Sequence, residues 1–201
     1  MSQDSADQHR EKMARRKEAH DRKLAAATRE KGLLIVTTGP GKGKTTAALG
    51  MVFRALGHGM KVGVVQFTKG AIATGEAALA KKLAPLLEWH TLGEGFTWDT
   101  QDRERDVAAA GRAWETAMRL LRDPTFDLVI LDELNIVLRY GYLAMEDVLA
   151  ELRAKREMLH VVVTGRNAKA ELIELADLVT EMTLVKHPFR SGIKPQKGVE
   201  F

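Results

Sequence analysis

The sequence predicts an α/β protein, a mostly parallel sheet flanked by helices on both faces and preceded by a helical arm. Three observations carry that reading. Runs of apolar, β-branched residues alternate with helical patterns along most of the chain, which is how strand-helix-strand units read in sequence. Two of the runs, 129–131 and 161–163, are apolar at every position rather than at every second one, as in strands buried on both sides. A third run, Leu33-Leu34-Ile35-Val36-Thr37-Thr38, passes through glycines directly into a small-residue helical pattern. A chain of 201 residues suits one such domain with a substantial core and an appended tail, and a second domain is not expected.

Taken in order, residues 1–31 form a polar, densely charged arm in which Arg10, Lys12, Arg15, Arg16, Lys17, Arg22 and Lys23 alternate with Glu11, Glu18 and Asp21. Residues 1–7 read as solvated or disordered. From about Gln8 the absence of Gly and Pro favours a helix with a thin apolar face. Residues 8–31 fit equally a solvated arm and a basic helix that packs on a second subunit or covers an anionic ligand. The α/β domain spans 32–185. Its strands are expected at 33–38, 61–67, 87–92, 127–133, 160–165 and 178–185. Helices are expected at 45–57, stopped by Gly57-His58-Gly59, and at 74–84, 101–121, 133–138, 145–158 and 168–176. The basic, Gly- and Pro-punctuated tail, 186–201, reads as a loop.

The stretch Thr38-Gly39-Pro40-Gly41-Lys42-Gly43-Lys44-Thr45-Thr46, between a strand and a helix, carries the chemistry. Successive backbone N–H groups curled at a helix N-terminus satisfy phosphate oxygens without an intervening side chain, and glycines permit the curl. Lys44 places a point charge on the outer phosphates, and the Thr45 hydroxyl reaches a Mg2+ ion bridging them. The usual pattern has a glycine five residues before Gly43, where this chain has Thr38, so the loop entrance is expected to run differently. The companion signal is Val129-Ile130-Leu131-Asp132-Glu133, a buried strand that delivers two carboxylates to the sheet edge, where Asp132 or Glu133 binds the ion. The expected fold is therefore P-loop NTPase-like. With no Asn-Lys-x-Asp signature for guanine, ATP is the expected nucleotide.

Composition removes other chemistries. The chain has no cysteine, hence no disulfide, thiolate metal site or thiol nucleophile. Its six histidines lack ligand spacing and receive no role. No apolar run approaches membrane-spanning length and the N-terminus has no hydrophobic segment of the signal-peptide kind, so a cytoplasmic protein is expected, without a membrane partner. The net charge of +4 is compatible with nucleic-acid binding and is explained as well by an anionic nucleotide, while no aromatic and basic interleaving suggests a nucleic-acid platform.

Together, these residues resemble the ATP:corrinoid adenosyltransferases of the cobalamin pathway, in the P-loop class. The resemblance covers nearly the whole chain through the phosphate loop, Arg54-Ala55-Leu56-Gly57-His58-Gly59, Val62-Gly63-Val64-Val65-Gln66-Phe67-Thr68-Lys69-Gly70, Gly95-Phe96-Thr97-Trp98, Leu131-Asp132-Glu133-Leu134-Asn135, Thr164-Gly165-Arg166 and Val185-Lys186-His187-Pro188-Phe189. The missing first loop glycine is itself typical of that family. The resemblance implies attack by the Co(I) of a reduced corrinoid on the 5′ carbon of ATP, with triphosphate, held and neutralised by Lys42, Lys44, the loop amides and magnesium, leaving from a nucleotide that lies reversed in the loop. It also implies Phe96 and Trp98 on the corrinoid side, a homodimer with the N-terminal helix closing over the site, and a reductase that supplies Co(I). The chain departs from the family at Pro40, where Asn is usual, at Ala71-Ile72-Ala73-Thr74 and at Ile136-Val137-Leu138-Arg139; these bear on ATP affinity and corrinoid preference rather than on the reaction. The competing classes are an ATPase or small-molecule kinase, which releases ADP, and a nucleotide-dependent carrier or nucleic-acid binder.

Overall fold

The computed structural model describes residues 3–68, 74–93 and 102–200, with side chains from residue 7 onward. The chain separates into two compact units, Met1–Lys31 and Gly32–Phe201. The first is a single helix, α1 (Gln3–Ala26), which begins earlier than the sequence suggested. Exposed ion pairs run along it, Arg10 to Asp7 at 2.6 Å and Arg15 to Glu11 at 3.3 Å. Such pairs add only a few tenths of a kcal/mol each, so the helix rests mainly on propensity.

The second unit is a sheet of six strands, all parallel, in the order β3-β2-β4-β5-β1-β6. The strands are β1 (Leu34–Thr38), β2 (Val62–Gln66), β3 (Leu87–Thr91), β4 (Leu128–Asp132), β5 (His160–Thr164) and β6 (Leu178–Glu181). β1, β2 and β4 are buried at every position. Burial on both faces accounts for the unbroken apolar runs 129–131 in β4 and 161–163 in β5, since helices cover both sides of the sheet.

Alternation along the strands sorts the core into two layers. Ile35, Val64, Ile130 and Val162 pack with Ala48, Val52 and Ala55 of α2 (Lys44–Gly57) and with Ala80 of α3 (Gly75–Ala80). On the opposite face Val36, Val65, Leu131 and Val163 meet α4 (Arg103–Arg122), α5 (Leu134–Arg139), α6 (Met145–Arg153) and Leu172 of α7 (Ala170–Leu175). Neighbouring strands β1 and β5 thus send their chains to opposite faces, which opens a crevice at their C-terminal ends, the usual ligand position in open α/β sheets.

Several elements are shorter than the sequence suggested. The strand expected over 178–185 stops at Glu181, because the next carbonyl, Met182, accepts from the N–H of Gly41 at 2.7 Å and the chain turns along the glycine-rich loop 39–43. The helix expected over 145–158 ends at Arg153. There Lys155 Nζ binds the carbonyls of Gly32 (2.6 Å) and Leu159 (3.0 Å), so basic side chains satisfy the connection that a longer helix would have replaced. The helix expected over 74–84 ends at Ala80 and continues as tight turns, with Lys82 N–H bonding Leu79 and Leu83 N–H bonding Ala80. The helix expected over 168–176 is reduced to α7, since Asn167 is left-handed and the N–H of Ala168 is held by Thr38 Oγ1 at 3.0 Å. The tail contains one 3₁₀ turn, Pro188–Ser191. Among the described residues no helix is long and apolar enough to cross a membrane.

Two glycines show how tightly the layers are set. A Cβ on Gly63 would come within 2.9 Å of the buried Leu120 side chain, whereas one on Gly50 meets nothing within 4 Å. Gly63→Ala is therefore expected to lose about 1–3 kcal/mol in urea unfolding, and Gly50→Ala, inside α2, to gain up to about 1 kcal/mol. Equal effects from the two substitutions would contradict this packing.

Candidate functional site

β1 delivers the chain to the crevice, and residues 39–43 curl there before α2 begins at Lys44. Gly39 (φ 96°) and Gly43 (φ 105°) adopt the left-handed conformation that glycine alone takes up freely. The loop is also backed closely by main chain: a Cβ on Gly39 would lie 2.5 Å from the Met182 carbonyl, and one on Gly41 2.5 Å from that of Thr183. These glycines are needed for contact with 182–183 as much as for a ligand.

Lys44 Nζ turns back into its own loop, donating to the carbonyl of Gly39 at 2.8 Å and to that of Gly41. Partial burial, with the neighbouring Arg166 guanidinium second, lowers its pKa below the ordinary lysine value, while Glu133 and Asp132 pull the other way. Lys42 is exposed and pairs with the carboxylate of Glu200, which brings the C-terminal tail onto the loop. Pro40 is exposed on the loop's outer side.

Asp132, 1% exposed at the end of β4, is the hub beneath the loop. Its Oδ1 accepts from Thr45 Oγ1 at 2.9 Å and from Thr164 Oγ1 at 2.6 Å, and its Oδ2 accepts from Gln66 Nε2 at 2.9 Å. Strands β2, β4 and β5 and the first turn of α2 therefore meet on one carboxylate. Next in sequence, Glu133 takes a left-handed conformation (φ 63°), an uncommon one for a residue with a Cβ, and its N–H is held by Thr164 Oγ1 at 2.9 Å. That kink points consecutive acids into different surroundings. Asp132 is buried among donors, and Glu133 lines the cavity.

The cavity has a volume of about 810 Å³, and its polar lining includes residues 41–46, Glu133 and Arg166. Leu79, Ile136, Tyr140 and Val199 add apolar surface to the lining, and Thr68 and Glu76 also face it. Arg139 lies over the Tyr140 ring at 5.5 Å, and that ring stacks on Tyr142 with centroids 5.6 Å apart. The lining thus combines backbone N–H groups, hydroxyls and charged side chains with apolar and aromatic surface, the mix expected of a ligand site.

Of the residues singled out in the sequence, Gly41, Lys42, Gly43, Lys44, Thr45, Thr46 and Glu133 line this one cavity. Gly39 and Pro40 belong to the same loop, and Asp132 lies beneath it. Phe96 and Trp98 lie outside the described residues. Sequence reasoning gave no role to Gln66, Thr164 or Glu200. Gln66 and Thr164 carry a faint signal as polar residues that end buried strands; the isolated Glu200 in a basic tail carries none.

A family model described as ATP:corrinoid adenosyltransferase BtuR/CobO/CobP matches residues 30–201. The chain is similar to a corrinoid adenosyltransferase of Pseudomonas aeruginosa, 58% identical over 193 residues that cover 96% of this chain and 95% of the relative. It is 44% identical to one from Escherichia coli K12 over 98% of this chain and all of the relative. It is 42% identical, again over 98% and 100%, to the corrinoid adenosyltransferase CobA of Salmonella typhimurium.

The electrostatics of Lys44 are testable without a ligand. A lysine whose folded pKa is lowered leaves the unfolded chain binding more protons between that value and 10.5, so its contribution to stability rises with pH across that window. Arg166→Gln is expected to move the pKa of Lys44 upward, still below 10.5 because burial persists, as read from the pH dependence of its acylation by mass spectrometry. An unchanged or lower value would contradict the proximity of the two cations.

Proposed function

This chain belongs to the ATP:corrinoid adenosyltransferase family, and from that premise we propose that residues 39–46 hold the triphosphate of ATP as a leaving group. The Co(I) of a reduced corrinoid attacks the ribose 5′ carbon. The cobalt–carbon bond forms with the metal's electron pair as the carbon–oxygen bond breaks, and the bonding pair departs on triphosphate. No base is needed, since no proton is removed. The protein's contribution is position and charge at the departing oxygens. The observation that carries this reading is the phosphate loop of Lys44 and Thr45 clasped to Asp132 in the cavity that Glu133 lines.

The donors fit a magnesium ion. Thr45 has its hydroxyl hydrogen on Asp132, leaving only lone pairs for another partner, and Glu133 offers a carboxylate at the cavity wall. Thr45 and Glu133 would hold the ion directly, while Asp132, already accepting from three side chains, orients Thr45. When bound, magnesium supplies charge neutralisation between the phosphates. Incoming phosphate oxygens exchange with the Gly39 and Gly41 carbonyls at Lys44 and with Glu200 at Lys42. The loop lacks an N–H at Pro40, and these two lysines and the remaining amides take up the contact.

Phe96 and Trp98 are read as the corrinoid side, where they help exclude water and the lower axial ligand. The working assembly is read as a cytoplasmic homodimer fed by a reductase that supplies Co(I). The resemblance to the family supports this.

Anaerobic incubation with ATP, Mg2+ and a chemically reduced corrinoid is expected to yield a cobalt–carbon bond by absorbance and triphosphate as the phosphate product. Lys44→Ala should lower turnover by about 10²–10³. ADP and orthophosphate without a new cobalt–carbon bond would overturn the reading in favour of an ATPase, for which a glutamate after the strand's aspartate is the usual water-orienting group. Glu200→Gln frees Lys42 for phosphate and should tighten ATP binding by up to about fivefold, the scale of an exposed ion pair. Weaker binding in that variant would contradict the exchange.

A further inference from the structure

Gln66 stands where an apolar residue would ordinarily fill an all-parallel sheet: at the end of β2, 2% exposed, between β3 and β4. A buried amide costs about 1–3 kcal/mol unless paired, and this one is paired on both ends. Its Nε2 donates to Asp132 Oδ2 at 2.9 Å, and its Oε1 accepts from Thr91 Oγ1 at 3.0 Å. Thr91 Oγ1 in turn accepts from the indole Nε1 of Trp89 at 3.1 Å. On the far side Asp132 accepts from Thr45, the second residue of α2.

The direction of every bond in this series is fixed by its ends. An indole N–H can only donate and a carboxylate can only accept, so the amide has one orientation and the Thr91 hydroxyl one rotamer. A series with no freedom to invert holds the carboxylate in one plane, and with it the hydroxyl hydrogen of Thr45. Thr45 then has lone pairs alone to present elsewhere, which is what a hard cation requires and what a freely rotating hydroxyl would supply only part of the time.

We propose that Gln66, backed by Thr91 and Trp89, is a positioning residue for the reaction: it locks Asp132 so that Thr45 constantly presents an acceptor to the divalent cation carried with the triphosphate. The inference rests on the magnesium reading given under Proposed function. It also assigns the edge strand β3, remote from the phosphate loop in sequence, a part in metal affinity.

The test is a titration of a fluorescent ATP analogue against Mg2+ and, separately, in excess chelator, on the full chain. Gln66→Met keeps the volume and removes both bonds. It is expected to raise the Mg2+ concentration for half-maximal binding by about tenfold, the size seen when outer-shell partners of metal ligands are removed, while binding in chelator stays within about twofold. In turnover the change should appear in the magnesium dependence rather than in the limiting rate at saturating Mg2+. Thr91→Val, at an exposed position on the edge strand, leaves the Gln66–Asp132 bond in place and should shift the same midpoint in the same direction by less. It also provides the answer if Gln66→Met does not fold. Wild-type midpoints in the folded variants, or equal losses with and without Mg2+, would overturn the positioning role and leave Gln66 as core packing. Wild-type binding that ignores Mg2+ altogether would overturn the metal reading, and this inference with it.

Discussion

The site depends on one buried carboxylate. Asp132 accepts hydrogen bonds from β2, from β5 and from the first turn of α2, so three segments remote in sequence share one small anion. An unpaired carboxylate at that depth would be strongly disfavoured, and a carboxylate with these donors is instead a reason for the segments to converge. The phosphate loop, tethered by Thr45 to Asp132, is thereby fixed to the centre of the sheet rather than left as a connection at its rim.

Topology does the rest of the placing. β1 and β5 are neighbours whose following helices lie on opposite faces, which makes the crevice in which the loop sits. The segment after β6 closes the loop's back, near enough to Gly39 and Gly41 that a single methyl group would collide with main chain. The left-handed turn at Glu133 separates two consecutive acids by function: one organises the protein, the other faces the cavity. A family that transfers an adenosyl group needs polar groups for a departing polyanion and less polar surface for the incoming reactant, and the cavity lining contains residues of both kinds.

Much of this was legible in the residues because local signals and tertiary packing agree there. The apolar runs 129–131 and 161–163 proved buried at every position, and the glycine-lysine-threonine turn lies between β1 and α2 as its pattern requires. What was hidden has a common cause: it is set by contacts between distant segments. Strand β6 ends early because Met182 is captured by Gly41, and the connection after α6 is held by Lys155 reaching the carbonyl of Gly32, 123 residues away. Gln66 reads as an ordinary strand-ending polar residue until β4 is placed beside β2. Glu200 lies 158 residues from its partner Lys42, in a tail whose composition suggests only a loop.

The central claim is that the loop grips a polyanion so that carbon, rather than phosphorus, is the centre attacked. The measurement that meets it most directly is the fate of a heavy oxygen isotope placed at the bridge between the ribose 5′ carbon and the first phosphorus of ATP. With reduced corrinoid present, the account predicts that all of the label leaves in triphosphate, seen as an isotope shift in its phosphorus spectrum. Label retained on an adenosine-containing product, whether ADP or AMP, would show that a phosphorus–oxygen bond breaks instead and would contradict the account.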